Sequence, residues 1–133
     1  MNAATPIDHA LVKPRSFRDL VVWQKGMLLA QMIDSITATF PSAEKFGLVA
    51  QMRRAAVSIP SNLAEGQAHH TRNEFIQFIS HAEGLVAELE TQLTLARHFG
   101  FCDELATNQA FQLLDELRRM LNFLRRQLLE GLE

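Results

Sequence analysis

Apolar residues recur along most of this chain at intervals of three and four positions. Two segments carry the pattern well: Leu48, Met52, Ala55, Ile59 and Leu63 in one, and Leu114, Leu117, Leu121, Leu124 and Leu128 in the other. Such steps keep one side of an α-helix apolar, because the helix turns once every 3.6 residues. The second segment alternates between the two steps, which is typical of helices that pack nearly parallel. The pattern therefore predicts helices that bury one face against each other.

The first predicted helix runs from about Arg18 to Thr39. Ser16 or Asp19 stands near its start, where a short polar side chain can accept a hydrogen bond from an unpaired backbone N–H. Pro41 is expected to stop the helix, because the residue before a proline is pushed out of helical geometry. A short turn then leads into the second helix.

Glycines and capping residues predict the ends of the other helices. The second helix ends near Gly66, since glycine is common just after a helix. Thr71 and Glu74 have the spacing of a capping box, in which each side chain accepts a hydrogen bond from the other's backbone N–H. The third helix therefore begins there and runs to Gly100, and the fourth begins near Asp103.

Four long helices joined by short links predict an all-α, up-down-up-down four-helix bundle. A chain of 133 residues has room for one such domain, which we place at residues 17–133. Residues 1–16 contain Pro6 and Pro14 among mixed polar and apolar residues, and we expect them to form a loose N-terminal arm. A sharper alternative is that this arm docks on a neighbouring subunit.

The first predicted helix is unusually apolar. Its apolar residues are Leu20, Val21, Val22, Trp23, Met27, Leu28, Leu29, Ala30, Met32, Ile33 and Ile36. Wrapped around the helix they leave no broad polar face, which an outer helix of a small monomeric bundle should expose. Some of them could be ordinary surface residues, since folded proteins expose many apolar side chains. We favour a subunit interface that includes Trp23, because the excess is confined to one helix.

The second predicted helix carries a mid-helix proline and a row of polar residues. The polar residues are Arg53, Arg54, Ser58, Asn62 and Glu65. All but the first recur at steps of four, four and three, so they share one side of the helix. Pro60 is expected to kink the helix, with Ser58 or Ser61 satisfying the freed backbone groups. Two interpretations stay open: a polar network that fixes the register between helices or subunits, and a ligand or RNA contact through Arg53 and Arg54.

Four arginines form a stripe along the fourth predicted helix: Arg118, Arg119, Arg125 and Arg126. The two pairs are seven residues apart, which is nearly two turns, so they lie on one side of the helix. A solvent-exposed face, or pairing with the acids Glu83, Glu88 and Glu90 of the third helix, would explain the stripe structurally. The functional alternative is a surface that contacts nucleic-acid phosphates.

Charge separates these alternatives only in part. The chain has 13 Lys and Arg against 15 Asp and Glu, a formal net charge of −2, which argues against coating of nucleic acid through bulk charge. Residues 1–70 carry seven basic and five acidic side chains, and residues 71–133 carry six and ten. The arginine stripe therefore lies in the acidic half of the chain, where pairing between helices and a local basic surface both remain open.

No pattern of catalytic or metal-binding residues stands out. A di-iron site in a helical bundle requires Glu-x-x-His pairs, and no glutamate lies three residues before any of the five histidines. His69-His70 lacks a third ligand nearby, and Cys102 is interpreted as a small apolar turn residue. We therefore predict no enzyme activity, no cofactor and no metal. One cysteine, no signal-peptide pattern and no long apolar run favour a cytoplasmic protein without membrane contact.

Three stretches of the sequence resemble a known family. They are Phe17–Lys25 (FRDLVVWQK), Phe46–Leu48 with Gln51–Gly66 (QMRRAAVSIPSNLAEG), and Glu88–Leu93 (ELETQL). Over about Phe17 to Leu129 the chain is similar to the bacterial four-helix-bundle proteins of the 23S rRNA intervening-sequence family. The resemblance implies a homo-oligomer, with a pentameric ring as the arrangement seen in such proteins. The accessory variability protein of diversity-generating retroelements, a basic pentameric partner of reverse transcriptase and nucleic acid, is similar too, but this chain is mildly acidic.

Two functions are compatible with these residues and this resemblance. The leading hypothesis is a non-enzymatic homo-oligomeric scaffold in the cytoplasm, assembled through the first helix and the Arg53–Gly66 segment. The alternative is an RNA- or ribonucleoprotein-binding module that uses the arginine stripe of the fourth helix. Phosphate contacts of that kind predict a steep loss of affinity with salt.

Overall fold

The chain folds into four long α-helices in the part that the structure, a computed structural model, describes: residues 16–68 and 71–131. The helices are Val21–Thr37 (α1), Leu48–Ala68 (α2), Arg72–His98 (α3) and Glu104–Glu130 (α4). Short 3-10 turns at Phe17–Asp19 and Ser42–Glu44 precede α1 and α2, and no strand occurs in the described ranges. The prediction of an all-α protein with four helices is confirmed. The predicted arm before Ser16 and the His69-His70 link lie outside the described residues.

α1 is shorter than the sequence predicts at both ends. It begins at Val21 rather than near Arg18, because Leu20 is extended, with φ −76° and ψ 120°. The Ser16 hydroxyl accepts a hydrogen bond from the Arg18 N–H at 3.0 Å, so this residue caps the 3-10 turn and not α1 itself. At the other end the helix stops at Thr37, four residues before Pro41, and the chain turns through the buried side chain of Phe40.

The predicted caps of α3 and α4 are present. The Thr71 hydroxyl accepts a hydrogen bond from the Glu74 N–H at 3.2 Å and donates one to the Glu74 carboxylate at 2.5 Å. The Asp103 carboxylate accepts a hydrogen bond from the Ala106 N–H at 2.8 Å, which starts α4 where the sequence predicts. Side chains of this kind satisfy N–H groups that have no partner within the helix.

Gly100 ends α3 as predicted. Its φ of +80° is left-handed backbone, which glycine adopts without the clash that a Cβ would cause. The Phe101 N–H donates to the Ala96 carbonyl and the Gly100 N–H donates to the Arg97 carbonyl, both at 3.0 Å. This pair of hydrogen bonds is the Schellman motif, and it reverses the chain into α4.

The core lies between the four helices. Each helix packs against the next one in sequence, and α4 also packs back against α1. The largest fully buried side chains are Leu29, Ile33, Met52, Ile59, Leu63, Ile79, Val86, Leu89, Leu93, Leu114, Leu117 and Leu121. Most of the residues that predicted α2 and α4 therefore belong to one apolar core, whereas Leu124 and Leu128 are half-buried in the last two turns of α4.

The mid-helix proline sits where α1 and α2 meet. Pro60 is buried, and α2 continues past it to Ala68. A Cβ placed on Gly26 would lie 3.5 Å from two atoms of the Pro60 ring and 3.6 Å from Ile59. An alanine methyl group would therefore fit here at ordinary contact distance, so this helix contact does not depend on a glycine. None of the described helices is long and apolar enough to cross a membrane.

Candidate assembly surface

The outer face of α1 carries a cluster of exposed apolar side chains. Val21 is 52% exposed, Met27 is 39% exposed and Leu28 is 46% exposed. Val21 and Leu28 are seven residues apart, so the three side chains lie within about 10 Å along the helix. We call these three residues the α1 ridge.

An open groove lies on the α2 side of the α1 ridge. Its volume is about 570 Å³, and its lining residues are Trp23, Met27, Ala30, Gln31, Asp34, Ser35, Val57, Pro60, Ser61 and Ala64. We call it the α1–α2 groove. Trp23, at one end, is half-buried and stacks edge to face on Phe17 with ring centres 5.2 Å apart. Val57 extends the exposed apolar surface onto α2, where it is 57% exposed.

A second groove lies on the α4 side of the α1 ridge. Its volume is about 480 Å³, and its lining residues are Lys25, Leu28, Met32, Gln109, Gln112, Leu113, Glu116 and Arg119. An ion pair crosses this groove, since the Lys25 ammonium lies 3.0 Å from the Glu116 carboxylate. The α1 ridge is therefore flanked on both sides by open space, more apolar on the α2 side and more polar on the α4 side.

Arg53 holds the start of α2 against the end of α1. Its Nε donates to the Thr37 hydroxyl at 2.9 Å and lies 3.4 Å from the Asp34 carboxylate, and another guanidinium nitrogen donates to the Asp34 carbonyl at 3.1 Å. The buried Thr37 hydroxyl donates in turn to the Ile33 carbonyl at 2.7 Å. A cation at the C-terminal end of α1 is also favoured by the helix dipole. Arg53 thus belongs to a polar network between helices, as one of the two predicted interpretations has it.

The rest of the predicted polar row does not bridge helices within the described residues. The Asn62 side chain donates to the Ser58 carbonyl at 2.8 Å, which is a bond inside α2. This bond goes to the Ser58 carbonyl and not to the Ala56 carbonyl, which Pro60 leaves without its helical N–H, and no side-chain hydrogen bond from Ser58 or Ser61 occurs within residues 16–68 and 71–131. Arg54 and Glu65 are exposed and have no ion-pair partner in the described part of the chain. They remain available to another molecule.

The arginine stripe of α4 is largely engaged in ion pairs. Arg118 and Arg119 both pair with Asp115 on their own helix, the latter at 3.1 Å. Arg125 reaches across to α3, where its Nε lies 2.7 Å from one Glu83 carboxylate oxygen and another nitrogen lies 3.4 Å from the second. The hydrogen bond with Glu83 raises the pKa of Arg125 above its usual value, so the guanidinium stays charged.

Of the three α3 acids that were proposed to pair with the arginine stripe, Glu83 pairs with Arg125. Glu88 instead accepts a hydrogen bond from the Gln92 side chain at 3.1 Å, and Glu90 is exposed without a stripe contact in the described residues. Arg126 is exposed and has no ion-pair partner within residues 16–68 and 71–131. The structure therefore favours pairing as the role of Arg118, Arg119 and Arg125.

Cys102 is placed in the turn between α3 and α4. It is half-buried against the core, and this burial raises the pKa of its thiol. Nearby Arg97 lowers that pKa by less, so the thiol is protonated at neutral pH and the interpretation as a turn residue is favoured over a nucleophile. His81 and His98 are exposed. No group of three metal-ligating side chains occurs in the described part of the chain.

Sequence reasoning missed several residues that shape this surface. It named Arg53 but not its partners Asp34 and Thr37, and it named the stripe but not Asp115. The partners on α1 could not be found from spacing, because their approach to α2 depends on how the two helices pack.

These features define the class of the protein: it is a four-helix all-α protein with an exposed apolar ridge between two grooves. The particular family is established by comparison of the sequence with family models. The model of the 23S rRNA-intervening sequence protein family matches residues 18–123, and the chain belongs to that family. The match spans α1, α2, α3 and most of α4. No curated protein matches the chain.

Proposed function

We propose that this protein is a non-enzymatic, homo-oligomeric scaffold whose subunits meet through α1 and the Arg53–Gly66 segment of α2. The observation that carries the proposal is the α1 ridge between its two grooves. Covering apolar surface removes it from water and favours association. A clustered apolar patch on a small protein is a common mark of an interface.

A shared groove distinguishes this surface from the other exposed apolar residues, which include Phe46 before α2 and the pair Leu95 and Phe99, one turn apart at the end of α3. Leu105, Phe123 and Leu129 are also exposed, but they are spread over 24 residues of α4, about 36 Å of helix. Isolated exposed apolar side chains are normal on a protein surface. Met27 of the α1 ridge and Val57 instead line one groove, and Leu28 is the next residue along α1, so a partner could cover them together.

The polar residues of α2 suit the edge of the same surface. Arg54 and Glu65 are exposed, have opposite charges and lack ion-pair partners in the described ranges. Residues of this kind at an interface rim select the orientation of a partner more than they add affinity. Trp23, half-buried at one end of the α1–α2 groove, is the type of side chain that often dominates interface energetics.

The proposed subunit is an up-down-up-down bundle. Gly26, early in α1, packs against Pro60, late in α2, while Asp34, late in α1, pairs with Arg53, early in α2. These two contacts support opposite directions for the two helices. The family resemblance supports a pentameric ring as the assembly. The single cysteine supports a cytoplasmic location.

The alternative, an RNA- or ribonucleoprotein-binding module, has less geometric support. Its four arginines lie on α4, but Arg118, Arg119 and Arg125 already pair with carboxylates. Phosphates would have to compete with those carboxylates, which leaves Arg126 as the stripe residue without a partner in the described residues. The scaffold is therefore preferred.

Native mass spectrometry of the full chain at micromolar concentration tests the proposal. We expect a mass that is a multiple of the 15.0 kDa chain, and a 15 kDa monomer would overturn the scaffold hypothesis. The same sample titrated with a structured rRNA fragment should show no salt-dependent binding. Binding that weakens steeply with salt, and is lost when the four stripe arginines are replaced, would favour the RNA-binding alternative.

A further inference from the structure

We propose that a pocket at the turn between α1 and α2 binds a small organic carboxylate, one that joins the charged group to a compact apolar body. The pocket has a volume of about 280 Å³, and its lining residues are Thr37, Ala38, Phe40, Pro41, Ser42, Lys45, Val49 and Arg53. We call it the turn pocket. It shares no lining residue with the grooves on either side of the α1 ridge, so this inference goes beyond the proposed function.

Lys45 gives the turn pocket an unpaired positive charge. Its side chain is exposed and has no ion-pair partner in the part of the chain that the structure describes. The ammonium lies 5.5 Å from the centre of the Phe46 ring. An ammonium has three N–H donors, so this ring contact leaves donors for an anion.

Arg53 supplies the second positive charge, at a position that α1 fixes. Its Nε donates to the Thr37 hydroxyl at 2.9 Å, and one terminal nitrogen donates to the Asp34 carbonyl at 3.1 Å. The other terminal nitrogen has no hydrogen bond within the described ranges. The Asp34 carboxylate lies 3.4 Å from Nε, but its side chain is 72% exposed, so water screens this ion pair. The guanidinium therefore keeps a donor for a ligand.

The other polar groups around the turn pocket favour an acceptor as its occupant. The carbonyl groups of Thr37, Pro41 and Ser42 each accept a backbone hydrogen bond, at 3.1, 2.9 and 3.2 Å. The Ser42 hydroxyl has no hydrogen bond among residues 16–68 and 71–131, so it can donate one. None of the described lining residues is acidic. A carboxylate has two oxygens that only accept hydrogen bonds, and it can meet both cations at once.

The floor of the turn pocket is apolar. Phe40 is 8% exposed and Val49 is 7% exposed. The Phe40 ring packs on Phe101 of the turn between α3 and α4, with ring centres 5.5 Å apart, which holds the floor in place. An apolar floor with a few polar groups at its edge is typical of small-molecule sites.

The volume sets the size of the ligand. A pocket of about 280 Å³ has room for about nine water molecules at about 30 Å³ each. A carboxylate on a single small ring therefore fits, with its oxygens at Lys45 and Arg53 and its ring on Phe40 and Val49.

Benzoate is the probe for this site, because it joins a carboxylate to one apolar ring. The full ¹⁵N-labelled chain is titrated at neutral pH, and its amide signals are followed by NMR. We expect saturable shifts that are concentrated at Phe40–Val49. Benzyl alcohol, the uncharged match, should bind at least about tenfold more weakly, because it lacks the charge-assisted hydrogen bonds.

Variants of the exposed Lys45 locate the binding without disturbing the core. Lys45→Met should raise the dissociation constant of benzoate about tenfold. Lys45→Arg keeps the charge and should retain most of the affinity. Arg126→Met removes an exposed arginine of α4 and should leave the affinity unchanged.

Four results would overturn the proposal. They are the absence of saturable shifts at Phe40–Val49, equal affinity for benzoate and benzyl alcohol, unchanged affinity in Lys45→Met, and equal losses in Lys45→Met and Arg126→Met. Tighter binding of inorganic phosphate at the same amides would overturn the assignment of a carboxylate. A monomeric mass with benzoate still bound would contradict the scaffold and leave this inference standing.

Discussion

The α1 side and the α4 side of this protein use their surface residues in opposite ways. On the α4 side, charged residues pair with each other: Arg125 with Glu83 of α3, and Arg118 with Asp115 of the same helix. On the α1 side, Met27 and Leu28 project between two open grooves. Three of the four stripe arginines are therefore paired within one chain, whereas the α1 side exposes apolar area beside open grooves that a contact would cover.

The difference indicates which of the two surfaces is the better candidate for contact with another molecule. Ion pairs made within one chain leave little charge to recruit a partner, even where the sequence shows a row of arginines. An apolar ridge between grooves has no equivalent compensation within the described residues. The α1 side is therefore the surface on which we place the assembly of the protein.

The largest effect is expected at the closed contact between α2 and α3. A Cβ on Gly66 would lie 2.6 Å from the Phe78 Cβ and 3.0 Å from the Phe75 Cδ1. Gly66→Ala should therefore lower the free energy of unfolding by about 1–3 kcal/mol through overpacking. Urea denaturation measures this change.

Gly26→Ala is the matched variant at the open contact between α1 and α2. Its new methyl group would lie at ordinary contact distance, 3.5 Å from Pro60. The helix propensity of alanine then dominates, and we expect a gain of up to about 1 kcal/mol. If the two variants were equally destabilising, the α1–α2 contact would be packed as tightly as the α2–α3 contact. The expected difference between the two contacts would then be wrong.

A smaller effect is expected from the ion pairs of the α4 side. Arg125 and Glu83 have side chains 28% and 21% exposed and form two hydrogen bonds, so Arg125→Met should cost about 1 kcal/mol. Arg119 is 68% exposed, and Arg119→Met should cost less than about 0.5 kcal/mol. Thermal and urea unfolding distinguish these values. If both substitutions were neutral, the α4 side would not be stabilised by its charges.

Much of the fold could be predicted from local signals. Gly100, Thr71 and Asp103 mark helix ends through hydrogen bonds to residues a few positions away, and all three predictions are confirmed. The start of α1 was predicted wrongly, because Ser16 caps a 3-10 turn and the chain is extended at Leu20 before the helix begins. Capping residues look alike in the sequence whichever type of helix follows.

The candidate surface could be predicted only in part. The excess of apolar residues in α1 indicated this surface, because the residues of one helix can be counted in the sequence. The grooves on either side depend on how α1 packs on α2 and α4, which the spacing of residues does not determine. The pairing of Arg125 with Glu83 was one of several alternatives, because residues 42 positions apart are brought together by the fold.

The most direct test of the α1 ridge as the assembly surface is the mass of two matched variants in solution. Leu28→Lys places a charge on the ridge, and Leu105→Lys places the same charge at an apolar position of α4 that is 86% exposed. Light scattering coupled to size exclusion should give a 15 kDa monomer for Leu28→Lys and the wild-type oligomer for Leu105→Lys. An oligomer of unchanged mass in Leu28→Lys, with normal helical content, would contradict the account.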